Sequence, residues 1–150
     1  MTIEWRDKMS VDGGPIDEDH RHLIEIINQL EREAPYFTTS EDALEILHTL
    51  KFYCKTHFKR EEDLQLHSSY TFHDAHAKEH KDLLHTLNHI IEETRTCDDK
   101  DIKKIGAEMA ELLKNWLINH VLNSDLRMKP YVEEMKKHSR EMGKLADVEN

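Results

Sequence analysis

Cysteine, proline and glycine are scarce in this 150-residue chain, at two, three and four copies. No run of apolar residues approaches the ~20 that a helical bilayer span requires, so no membrane-spanning helix is expected. With only Cys54, in an apolar periodic segment, and Cys97, in a polar one, a disulfide framework is excluded and reduced thiols are expected. Positive charge is also in short supply. Thirty-one acidic against 21 basic side chains leave a formal charge of −10. Nucleic acids and anionic membrane surfaces reward clustered Lys and Arg, so neither is expected as the main partner. The opening Met1-Thr2-Ile3-Glu4-Trp5-Arg6-Asp7 lacks the apolar core of a secretory signal, and a single soluble domain in the cytoplasm is expected.

The few glycines and prolines leave room for long helices, and apolar residues recur every three or four positions with no sustained two-residue alternation. Leu23, Ile24, Ile27 and Leu30 form one face of a first helix, roughly Asp17 to Glu33, entered through Asp12-Gly13-Gly14-Pro15. Thr39 or Ser40 can cap a second helix that runs past Leu44, Leu47, Leu50 and Cys54 to about Gln65. Thr71 with Asp74 fits a capping box for a third, carried by Leu83, Leu84, Leu87 and Ile91 and fraying near Thr96. A fourth runs from about Asp101 through Ile105, Met109, Leu112, Trp116 and Leu117 to about Met128, where Lys129-Pro130 interrupts it. Four such helices with short connections predict an all-α, antiparallel up-down-up-down bundle over 1–129. Residues 130–150 form a short charged C-terminal helix of the same domain. Its weak stripe of Tyr131, Met135, His138, Met142 and Leu145 is expected to pack loosely on its own bundle, the alternative being a docking face for a protein partner.

Twelve histidines are far more than ordinary usage supplies. An HxxxH pair alone says little, since that many histidines yield about one by chance, and the chain has two: His76/His80 and His85/His89. Bundle topology separates them. The start of helix one, the end of helix two, the start of helix three and the end of helix four share one end of an up-down-up-down bundle. His20, His57, Glu61, His76, His80, His120 and Asp125 all fall within roughly 15 Å of that end at 1.5 Å rise per residue. His85 and His89 lie deeper, with no matching ligands, and are surface or core-edge residues. His22, His48, His67, His73 and His138 are solvated. Taken singly, each of the seven is unremarkable; together they form an excess of polar groups at the end of an apolar core.

Five imidazoles and two carboxylates over-supply one metal ion. Two ions bridged by both carboxylates and a solvent oxygen would share the imidazoles as three and two, leaving one ion six-coordinate and the other five-coordinate with a vacancy. Nitrogen-rich, thiolate-free ligation favours a mid-series ion such as iron. Phe58, Trp116, Leu117 and Val121 neighbour these ligands in sequence or register and are expected to wall the pocket.

The run Trp5, Ser10-Val11, Ile16-Asp17-Glu18-Asp19-His20, His57-Phe58-Lys59-Arg60-Glu61-Glu62, Tyr70, His76, His80, Trp116-Leu117-Ile118-Asn119-His120 and Asp125 resembles the hemerythrins, most closely the single-domain bacterial ones. The resemblance implies a non-haem di-iron site with a bridging oxo or hydroxo group that binds O2 reversibly for storage, delivery or sensing. It implies His76, His80 and His120 on the saturated iron, His20 and His57 on the iron with the vacancy, and Glu61 and Asp125 as bridges. There O2 would be held as a hydroperoxide, and nitric oxide, azide or other small anions would compete. The alternative is a di-iron peroxidase or nitric oxide scavenging enzyme. Asp19, Gln65 and Thr71 depart from the family pattern, and the first two are expected to place polar groups near the ligands. Trp5 is expected to plug the bundle and Tyr70 to cover the site.

Overall fold

Pro15 opens the first long helix, α1 (Pro15–Glu33), two residues earlier than the apolar spacing predicts. The reason lies upstream. Asp12 accepts hydrogen bonds from the backbone N–H groups of Gly14, Ile16 and Asp17 at 2.8, 3.0 and 3.1 Å, so the exposed donors of the first turn are satisfied from outside the helix. Gly13 makes this possible by adopting a φ of 66°. The computed structural model describes residues 2–149, with side chains through residue 145. After α1 come α2 (Ser40–His67), α3 (His73–Thr96), α4 (Ile102–Asn119) and α5 (Lys129–Glu149). No strand occurs among the described residues.

Thr39 is the N-cap of α2, and Asp42 completes a capping box there, accepting from the N–H of Thr39 at 3.2 Å. The equivalent box expected at Thr71 and Asp74 does not form. The α3 N-cap is Phe72, with no side-chain cap, so Thr71 lies one residue outside the cap position, where its hydroxyl accepts from the Tyr131 hydroxyl at 3.2 Å.

The first four long helices form the bundle: α1 packs on α2 and α4, and α3 packs on the same two. Their shared core includes Leu23, Ile27 and Leu30 from α1, Leu47, Leu50 and Cys54 from α2, Leu87 and Ile91 from α3, and Met109, Leu113 and Leu117 from α4. Trp5 packs against this core under the Arg21 guanidinium, 4.6 Å from the ring centroid. A second, smaller cluster of Val11, Ile16, Tyr70, Met128 and Val132 seals the end where α1 and α3 begin, with Leu64, Tyr131 and Met135 against it. The root of α5 therefore caps that end. Farther along, His138, Met142 and Leu145 are exposed, and the predicted partner contact over 130–150 extends to residue 150, outside the described residues.

The fourth helix is not continuous to Met128 as the apolar spacing suggested. Regular α-geometry stops at Asn119. A π-turn over His120–Ser124 and a 3-10 turn over Asp125–Met128 follow.

Two side chains of α1 fasten the arm before it: Asn28 accepts from the Ile3 N–H at 2.9 Å and donates to the Ile3 carbonyl at 2.8 Å, and Asp17 holds the residues nearer the helix. Asp17, buried in the first turn, accepts from the Ser10 hydroxyl at 2.5 Å and from the N–H groups of Val11 and Gly13 at 2.8 and 2.9 Å. Burial opposes its ionisation, yet these donors hold the carboxyl below its ordinary value. Asp17→Ala strands at least one buried donor and is expected to cost about 1–3 kcal/mol of folding stability, measured by denaturant unfolding. Because the carboxyl is depressed, the latch is intact above the ordinary carboxylate range, and the difference between parent and variant should shrink as pH falls through the folded-state value.

Candidate metal centre

All seven predicted ligands converge, and each is buried: His20 in the second turn of α1, His57 and Glu61 on the last half of α2, His76 and His80 in the first two turns of α3, and His120 and Asp125 beyond α4. The last pair depends on the π-turn. On an α-helix, residues five apart point about 140° away from each other at 100° per residue. Wider i to i+5 winding stacks Asp125 over His120 and turns both inward. This explains why the α-helix breaks here.

Every imidazole in the cluster presents its Nε2 atom inward. Glu61 Oε1 lies 2.7 Å from His76 Nε2, 3.1 Å from His80 Nε2 and 3.8 Å from His120 Nε2. The other Glu61 oxygen, Oε2, lies 2.8 Å from His57 Nε2 and 3.5 Å from His20 Nε2. Asp125 divides in the same way. Its Oδ1 is 2.8 Å from His120 Nε2 and 3.0 Å from His76 Nε2, while its Oδ2 is 2.7 Å from His20 Nε2 and 3.7 Å from His57 Nε2. Two overlapping donor sets result: Glu61, His76, His80, His120 and Asp125, and His20, His57, Glu61 and Asp125.

The seven groups satisfy one another only in part: His20 pairs with Asp125, and His76 and His80 pair with Glu61 Oε1. Glu61 Oε2, Asp125 Oδ1 and His120 Nε2 are buried without a hydrogen bond of acceptable angle, although neighbours stand within 3 Å. His20 Nε2 and His57 Nε2 face each other at 3.0 Å. Lone pairs aimed at a common centre, in a site where unpaired polar atoms are costly, fit metal cations.

Charge in the metal-free cluster is shared strongly. Burial would lower the imidazole values, but the two carboxylates overcome it, lifting His76 to about 9 and His120 to about 10, with His20 and His57 raised as well. Burial and mutual repulsion would raise Glu61, and burial would raise Asp125. The facing imidazoles instead hold both well below the usual carboxylate range.

Outside the ligands stands a ring of carboxylates that the sequence pattern had largely hidden. Asp19 Oδ2 is 3.2 Å from His57 Nδ1 and 2.9 Å from Arg60 Nε. Glu62 Oε2 is 3.1 Å from His80 Nδ1, and Glu79 Oε1 is 3.3 Å from His120 Nδ1. Each accepts the outer N–H and thereby frees Nε2 to ligate. A common signal exists in hindsight: Asp19, Glu62 and Glu79 each adjoin a ligand in sequence but serve an imidazole on a neighbouring helix. Of the two expected polar departures, Asp19 reaches a ligand and Gln65 does not. Gln65 is buried but donates to Met128 Sδ at 3.3 Å and pairs through Oε1 with His73 Nδ1 at 3.0 Å. His73 is accordingly half-buried and engaged rather than solvated, whereas His85 and His89 are exposed as predicted.

Phe58 stacks on His80, with centroids 4.1 Å apart and planes 6° from parallel, and its edge also meets His120 at 5.6 Å. Leu117 and Val121 are buried, while Trp116 is half-buried with its indole N–H unpaired. Tyr70 sits edge-on to His76 at 6.1 Å and to Tyr131 at 5.0 Å, covering the ligand end as expected.

Residues 15–132 match the family model described as the hemerythrin HHE cation binding domain, a span that contains all seven convergent residues. The chain belongs to the hemerythrin family. Among its relatives is the bacteriohemerythrin of Pseudomonas aeruginosa (strain LESB58), 28% identical over 123 residues, which cover 82% of this chain and 76% of that one. The bacteriohemerythrin of Stenotrophomonas maltophilia (strain R551-3) is 26% identical, covering 91% and 83%. The myohemerythrin of Theromyzon tessulatum is also 26% identical, covering 84% and 90%. Hemerythrin membership implies an O2-binding non-haem iron protein, in a family made up generally of carriers rather than enzymes. No helix among the described residues is long and apolar enough to cross a membrane.

Proposed function

We propose that this hemerythrin binds O2 reversibly at a centre of two iron ions. His76, His80 and His120 would hold one ion and His20 and His57 the other, with Glu61 and Asp125 shared between the two groups. The observation that carries this reading is the division of each carboxylate, one oxygen turned to the three-histidine group and the other to the two-histidine group. Two irons, when bound, would supply the two electrons that a reversibly held O2 takes up, and the side with only two imidazoles is where O2 would bind. Azide, nitric oxide and other small anions would compete for that position. Phe58, Trp116, Leu117 and Val121 would keep water and its protons from it, which favours departure of O2 itself over its proton-assisted loss as hydrogen peroxide with both irons left ferric.

Metal analysis after anaerobic ferrous loading should give two irons per chain. Azide should bind only beside His20 and His57. One iron per chain, or azide beside His76, His80 and His120, would refute the assignment; sustained peroxide turnover would favour the enzyme reading instead.

Protons compete for the same atoms. With His76 at about 9 and His120 at about 10 before loading, metal uptake at neutral pH must expel protons. Apparent affinity is therefore expected to rise with pH until those values are passed, and an indicator dye in weak buffer should register acidification on loading. Affinity independent of pH across the neutral range would contradict ligation by these imidazoles.

A further inference from the structure

The π-turn that brings His120 and Asp125 to the same side is held from outside the ligand set. Oxygen Oε1 of Glu79 accepts from the hydroxyl of Ser124 at 2.5 Å and faces His120 Nδ1 at 3.3 Å. His120 is the first residue of that five-residue turn and Ser124 the last, and Glu79 stands on α3 across from both. A single carboxylate oxygen thus spans the whole turn. Neither of the other two outer carboxylates does this: Asp19 and Glu62 each face a ligand on a regular helix, where the backbone already fixes the direction of the ring.

We infer that Glu79 is a positioning residue that staples the His120–Ser124 π-turn to α3, fixing how His120 and Asp125 face the other five ligands. Wide i to i+5 turns are rare and occur mostly as single turns at functional sites. In this chain the stretch from Asn119 to Asp125 must leave α-geometry to serve the cluster. Through Ser124 the staple acts on the residue next to Asp125, and through His120 it selects the tautomer with hydrogen on Nδ1 and the lone pair on Nε2. The inference rests on the proposed reading of the cluster as a two-ion centre, but its effect on the backbone does not require metal.

The test uses the full chain and the variants Glu79→Ala, Glu79→Gln and Ser124→Ala, with two readouts. Hydrogen exchange of the metal-free proteins reports on the backbone of 120–128, and zinc titration against a chromophoric chelator reports on the ligands. Glu79→Ala should speed exchange across 120–128 and weaken zinc binding about 10–100-fold, the usual effect of losing an outer partner. Ser124→Ala should speed the same exchange with a smaller loss of affinity. Glu79→Gln, whose amide oxygen still accepts from both donors, should restore both readouts to near the parent.

Parent-like exchange over 120–128 in both alanine variants would overturn the staple, even if zinc affinity fell. So would a glutamine variant as impaired as the alanine one. A parent that takes up no zinc at the seven ligands would defeat the two-ion reading instead, and the exchange data would still decide the role of Glu79.

Discussion

Replacing either Glu61 or Asp125 by alanine is expected to empty the centre of both ions, not one. Each carboxylate lends an oxygen to each histidine group, so its removal takes a ligand from both ions and also takes away the negative charge that lets them sit close together. Removing a single imidazole, as in His80→Ala, takes a ligand from one side only and should leave a partly loaded, weaker centre. The fold should survive the carboxylate variants without metal, because the imidazoles can revert to neutral when the facing charge is gone. The ligand-linked part of stability will not survive: metal present at a hundred times its dissociation constant contributes about 2.7 kcal/mol, and that increment should vanish. Metal content per chain and the melting shift on loading measure both effects. Two irons retained in both variants would mean that neither carboxylate bridges.

Leu117→Ala should produce the largest change in the lifetime of the oxygenated protein. Leu117 is 2% exposed, part of the bundle core, and lies in the last turn of α4, three residues before His120. Truncation removes core packing worth about 2–5 kcal/mol and opens space beside the ligands. The iron should remain, since no ligand is touched. Water admitted to the space should accelerate oxidation in air, and azide should enter faster. Anaerobic stopped-flow mixing with azide and the decay of the oxygenated spectrum would show this. Parent-like rates for both would remove Leu117 from the pocket wall.

Most of the bundle was legible because its helices are amphipathic at regular spacing and begin with recognisable chemistry, as at Thr39 and Asp42. Legibility failed where side chains from distant segments compete for the backbone. The Thr71 cap is absent because α3 starts one residue later, from Phe72, and the Thr71 hydroxyl meets Tyr131, sixty residues away. The π-turn was invisible to an apolar-periodicity reading, since Leu117, Val121 and Met128 continue a plausible stripe across it. Its signature is instead the spacing of His120 and Asp125, which no unbroken α-helix can turn to one point. The convergence of the seven residues was readable because up-down-up-down topology forces particular helix ends together. The outer carboxylates were not, because adjacency to a ligand in sequence does not reveal which neighbouring helix a side chain will reach.

Optical absorption of the ferrous-loaded protein through repeated cycles of O2 addition and removal tests the central claim most directly. A protein with two irons per chain should develop the oxygenated spectrum on exposure, lose it under inert gas and regain it with little loss of amplitude over several cycles. A spectrum that forms once and does not reverse, accompanied by release of hydrogen peroxide, would contradict reversible O2 binding.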